Sequence, residues 1–154
     1  MFCFQCQETA KNTGCTVKGV CGKPEDTANL QDLLIYALRG LSVYEEKAGE
    51  LGISNKENGL FAAQALFTTI TNANWDNDRF VALIKETLKR REVLKEKFIV
   101  VYKEKNGRDF VEELHHSATW FSDNLAEFEE KAKSIGVLAT GNEDVRSLRE
   151  LLII

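Results

Sequence analysis

The chain is 154 residues long, 44% hydrophobic and 29% charged, with a formal net charge of −4. That length suffices for one domain, or two small helical bundles, with a buried core. The acidic balance, with Lys and Arg interspersed among Glu, excludes the basic stripe of a nucleic-acid binder, and no apolar run nears the ~20 residues of a membrane span.

Four cysteines, Cys3, Cys6, Cys15 and Cys21, open the chain, and none follows them. Met1-Phe2 leaves no room for the charged and apolar stretches of a secretory leader, so a cytoplasmic chain with reduced thiols is expected. In that setting a cysteine cluster favours a metal over disulfides. The spacing is C-x2-C-x8-C-x5-C. Structural zinc sites usually pair two tight knuckles, and here Cys3 and Cys6 alone form one. The looser second half suits an iron–sulfur cubane, whose corners spread the ligands further apart, although the run is not that of a bacterial ferredoxin. Lys11, Lys18 and Lys23 stand against Glu8 alone in the first 23 residues, a charge excess that offsets an anionic cluster. Gly14, Gly19 and Gly22 let backbone N–H groups approach sulfur. Three readings stay open on spacing alone: an iron–sulfur cluster first, a zinc-stabilised helical interaction module second, and a metal-free thiol redox sensor third.

The single proline, Pro24, separates this loop from helical sequence. A first helix is predicted over about Thr27 to Glu50, with Asp26 or Thr27 as N-cap and Gly52 past its end. Its stripe is Leu30, Leu33, Leu34, Ala37, Leu38, Leu41 and Ala48, spaced mostly by three and four. Ser54-Asn55-Lys56-Glu57 reads as a capping box opening a second helix through Leu60, Ala63, Phe67 and Ile70. A third helix is predicted from near Trp75 to about Lys105, with Phe80, Ile84, Leu88, Leu94, Phe98 and Val101 inward and Asn106-Gly107 as its stop. Short connections between three successive helices predict an up-down-up bundle. Arg108 to Phe121 reads as irregular or briefly helical. A shorter helix then carries Leu125, Phe128, Ala132 and Ile135, closed by Gly136.

Glu143 to Ile154 mirrors Glu25 to Tyr36 at an offset of 118 residues, with six of twelve positions identical. This repeat predicts the start of a second helical bundle. Because the sequence stops on Leu-Leu-Ile-Ile, a truncated fragment is expected, with Leu148, Leu151, Leu152 and Ile154 open to a neighbouring copy. The expected fold class is all-α: a Cys-rich loop over 1–24, a three-helix bundle over 25–107, and a connecting segment plus an incomplete second bundle over 108–154.

Other residues offer less chemistry. His115 and His116 are adjacent, so in a helix they point about 100° apart and read as surface histidines rather than a metal pair. Trp75 and Trp120 read as packing residues. Lys89-Arg90-Arg91, with Glu86, Glu92 and Glu96 around it, reads as a solvated face. No catalytic acid, base or nucleophile is singled out.

Met1-Phe2-Cys3-Phe4-Gln5-Cys6-Gln7-Glu8-Thr9, followed by Gly14-Cys15-Thr16 and Gly19-Val20-Cys21-Gly22-Lys23, resembles the hybrid-cluster protein family (prismane proteins, hydroxylamine reductases). The resemblance continues through Asn29-Leu30-Gln31-Asp32-Leu33-Leu34, Thr71-Asn72-Ala73-Asn74-Trp75 and Glu143 to Leu152. Arg108 to Ala126 carries it least. It implies cytoplasmic proteins several times this length, with an N-terminal domain of two three-helix bundles and two further α/β domains. It also implies that Cys3, Cys6, Cys15 and Cys21 are the iron ligands of a proximal 4Fe–4S cluster. The catalytic hybrid iron–sulfur–oxygen cluster takes its ligands largely from later domains. The implied reaction is reduction of hydroxylamine to ammonia and water, and nitric oxide reduction is also attributed to the family. What carries over to this chain is electron relay from a donor protein toward the remaining domains of the parent, with the fragment alone inactive.

Overall fold

The computed structural model describes residues 3, 6, 14–71, 73 and 75–151, the Glu150 side chain excepted. The protein is all-α among these residues: α1 (Glu25–Glu50), α2 (Lys56–Ile70), α3 (Asn77–Asn106), a 3₁₀ turn at His116–Ala118, α4 (Leu125–Ile135) and α5 (Glu143–Leu151). Lys11 and the run Leu152, Ile153 and Ile154, all used above, lie outside the described residues.

The stripe predicted on α1 is the spine of the core: Leu33, Leu34, Ala37 and Ala48 are fully enclosed, and Leu30, Leu38 and Leu41 nearly so. Polar contacts at both ends of α1 fix the helix directions. Thr27 Oγ1 donates to Asn77 Oδ1 (2.6 Å) at the start of α3, and Lys105 Nζ donates to the Leu51 carbonyl (2.7 Å) at its end. α1 and α3 therefore run parallel. Glu45, late in α1, accepts from Asn55 N (3.0 Å) and Asn58 Nδ2 (2.6 Å) at the start of α2, which runs back antiparallel to α1. This is the expected up-down-up arrangement. Phe128 and Ala132 of α4 join the same core as Leu30, Leu34, Phe80 and Ile84. A second apolar cluster, built on Tyr44, Leu94 and Phe98, holds the far end, with Phe110 edge-on to Phe98 at 5.0 Å.

Several local expectations are corrected. Neither Asp26 nor Thr27 caps α1. Pro24 holds the N-cap position at φ −79°, its carbonyl accepts from Ala28 N (3.2 Å), and the helix begins at Glu25. The fixed φ of proline presets the entry, and Glu25 and Asp26 then sit in the first turn, where the helix dipole favours carboxylates. The Ser54–Glu57 box does not form. Asn55 caps α2 by accepting from Glu57 N (3.0 Å), and its own N–H goes to Glu45 of α1, a tertiary partner in place of the local one. α3 starts two residues later than predicted, capped by Asp76, whose Oδ1 accepts from Arg79 N (3.0 Å), and Gly107 ends it at φ +66°.

Two corrections concern burial. The α2 stripe faces outward: Leu60, Phe67 and Ile70 are each more than 60% exposed, and Asn58, Ala65 and Thr69 face inward. Arg91 is not on a solvated face but fully buried. Its Nη1 donates to the carbonyls of Ser117 (2.8 Å) and Trp120 (2.6 Å), and its Nη2 pairs with Glu92 at 2.6 Å. A charge enclosed this way is tolerated because its donors are taken up, and here it ties the irregular 108–121 segment to α3.

Candidate metal centre

The cysteine loop is seated on the first turn of α1. Cys15 N donates to the Cys3 carbonyl (2.6 Å), a single antiparallel bridge that brings these two residues side by side. Cys15 is buried against Ala28 of α1, with Cys3 packed beside it. Cys6 is half-buried and Cys21 exposed. Gly14 and Gly22 take φ +78° and +91°, the left-handed region that glycine enters without a Cβ clash. Gly19 is required for a different reason. A Cβ there would lie 2.8 Å from the Lys23 carbonyl, which accepts from Gly19 N (3.1 Å) to close the turn that presents Cys21.

Among the described residues, no three His, Cys, Asp or Glu side chains converge closely enough to hold one metal ion. Cys3 and Cys15 are brought together, whereas no described contact joins Cys6 or Cys21 to them. The donor set itself, four thiols in a glycine-punctuated loop, suits soft metal chemistry. The wall behind the loop suits an anionic group. Lys23 is nearly fully buried, donates to Gln31 Oε1 (2.7 Å) and lies 5.2 Å from the Trp75 ring centroid. Gln31 is also buried, and its Nε2 has no hydrogen-bond partner among the described residues. An orphaned buried donor costs about 1–3 kcal/mol, so this wall is incomplete without an acceptor. On these observations the residues fit an iron–sulfur cluster.

Periodicity alone missed Gln31, because it reads there as the polar edge of a helix stripe. Asp32 was missed likewise. Burial raises its carboxyl to about 6, and the nearby Lys23 charge pulls the other way. No sequence signal marks either residue, because each depends on how α1 packs against Lys23.

The remaining candidates lie apart from the loop. His115 and His116 are exposed, as expected, but they flank an extended-to-3₁₀ junction rather than sitting in a helix, so their ring centroids approach to 4.0 Å. Tyr36 Oη pairs with His116 Nδ1 at 2.8 Å and stacks on that ring. Burial and the Arg39 and Lys131 charges lower both imidazoles below their usual range; for His116 the neighbouring His115 adds to this. Trp120 packs on Phe128.

Residues 1–154 match the Prismane/CO dehydrogenase family over their full length. The chain belongs to that family. It is 67% identical over 154 residues to a hydroxylamine reductase of Nitratidesulfovibrio vulgaris, covering all of this chain and 28% of that protein. It is 59% identical to a hydroxylamine reductase of Halothermothrix orenii (99% of this chain, 27% of that protein) and 51% identical to one of Clostridium novyi (99% and 27%). This member of the prismane family thus spans less than a third of the length of the curated relatives it matches. No helix among its described residues is long and apolar enough to cross a membrane.

Proposed function

We propose that this chain is the N-terminal electron-relay unit of a hydroxylamine reductase, holding a 4Fe–4S cluster through Cys3, Cys6, Cys15 and Cys21. The observation that carries the reading is the match along the whole chain to hydroxylamine reductases at up to 67% identity, cysteine loop included. The seat of Cys15 on Ala28 and the cationic, donor-bearing wall of Lys23 and Gln31 support the same centre.

When bound, such a cluster takes up and returns one electron at a time. The residues of this chain do the rest. Four thiolates bind the iron, Gly19 and Gly22 shape the turn that carries Cys21, and Lys23 offsets negative charge at the base of α1. In the complete parent, hydroxylamine takes two electrons and two protons and leaves as ammonia and water. The ligands for that chemistry belong to domains beyond this chain, which has no cysteine after Cys21. Its partners are an electron-donor protein and those remaining domains, which the outward apolar face of α2 is suited to meet.

The test is a reduction assay on the 154-residue protein loaded with iron and sulfide without oxygen. Its visible absorption should bleach reversibly with one reducing equivalent, with no ammonia formed from added hydroxylamine. Sustained ammonia production, or no bleaching, would contradict the relay assignment.

A further inference from the structure

We propose that Gln31 donates a hydrogen bond from Nε2 to a sulfur of the cluster held by Cys3, Cys6, Cys15 and Cys21, which makes it a positioning residue that raises the reduction potential of that cluster. The inference rests on the iron–sulfur reading above.

The orientation of the carboxamide is fixed by chemistry. Lys23 Nζ can donate but not accept, so the Gln31 atom 2.7 Å away must be the oxygen, and the nitrogen is the group left over. That nitrogen is enclosed, with no partner among the described residues, in a side chain only 3% exposed.

Its direction follows from the helix. Side chains on a helix tilt toward the N-terminus, over the preceding turn. Gln31 lies one turn beyond Ala28, the residue on which Cys15 and Cys3 rest. Its contact with the Lys23 ammonium, eight residues earlier, places the carboxamide beside a side chain of the cysteine loop. The group left to satisfy the donor is then an acceptor at the loop itself. Thiolate and sulfide sulfurs are acceptors, and a hydrogen bond to them stabilises the more negative, reduced state.

Two variants test this in the cluster-loaded protein. Gln31→Met removes the amide at nearly equal volume; Gln31→Glu keeps an oxygen for Lys23 but places no N–H at that position. The readouts are the reduction potential and the exchangeable-proton hyperfine couplings of the reduced cluster, compared in H₂O and D₂O. One exchangeable coupling should disappear in both variants. In Gln31→Met the one-electron equilibrium should fall by up to about tenfold, which is about 59 mV. A coupling pattern unchanged in either loaded variant would overturn the proposal, because a role confined to seating Lys23 can move the potential but removes no exchangeable proton from the cluster. Failure of both variants to hold iron would overturn it too, since a tuning donor leaves four thiolate ligands in place. If the unsubstituted chain takes up no iron–sulfur cluster, the proposed function itself has failed.

Discussion

At Asp32 a carboxyl oxygen lies where a Cβ on residue 136 would be, 2.5 Å away, so glycine is needed at that position for space. Gly136 was expected to close α4, and it holds the C-cap position. It takes φ −60° and ψ 157°, which any residue can adopt, so its value is the room it leaves for Asp32. The same enclosure raises the Asp32 carboxyl to about 6 from 3.8. A raised acid is stabilising when protonated: its contribution is fully present below pH ~4 and is lost as pH rises through about 6. At pH 8 the ionised group costs the fold about 3 kcal/mol relative to its protonated form. Asp32→Asn should therefore be more stable than the parent at pH 8 by roughly that amount, with the gap narrowing to about 1 kcal/mol near pH 4.5, as read by urea midpoints. An equal gap at both pH values would contradict the enclosed-carboxyl account. None of this was legible in the sequence, where Asp32 is one acidic residue among 24 acidic side chains and Gly136 looks like a helix stop.

At the scale of elements, periodicity predicted well where one helix is apolar on one side and that side is covered. The α1 stripe and the inward face of α3 were legible for this reason. α2 shows the limit: its apolar residues recur at helical spacing, yet Leu60, Phe67 and Ile70 point outward, because periodicity says which side is apolar and not what lies against it. α5 makes the same point. It begins at Glu143 as α1 begins at Glu25, in register with the 118-residue repeat. Yet Leu148 is 61% exposed where its counterpart Leu30 is 5% exposed. The irregular 108–121 segment owes its place to tertiary contacts that no local signal announces. One is the approach of its 3₁₀ turn to α1. A Cβ on Gly40 would sit 2.1 Å from the Ser117 carbonyl oxygen, the same oxygen that accepts from Arg91. Gly40→Ala should push this turn off α1 and destabilise the protein by about 3 kcal/mol, well beyond an ordinary helix Gly→Ala change, which is usually stabilising. A midpoint equal to or above that of the parent would show that the turn does not pack on α1 as described.

For the whole molecule, the cysteine loop and the helical body form one argument. The motif places four thiols in the first 21 residues, and the fold supplies their seat: Ala28 beneath Cys15, the proline-set start of α1, and an enclosed lysine and glutamine behind them. The thiols and the helices were legible in the sequence. The wall was not, because it depends on Gln31 folding back onto Lys23. The central claim is that these four thiols hold an iron–sulfur cluster. Iron, acid-labile sulfide and zinc, measured per chain on protein prepared without oxygen, test it most directly. The account predicts about four irons and about four sulfides per chain, both lost in Cys15→Ser, for a four-thiolate cubane. One zinc per chain without sulfide, or four thiols with no metal, would contradict it.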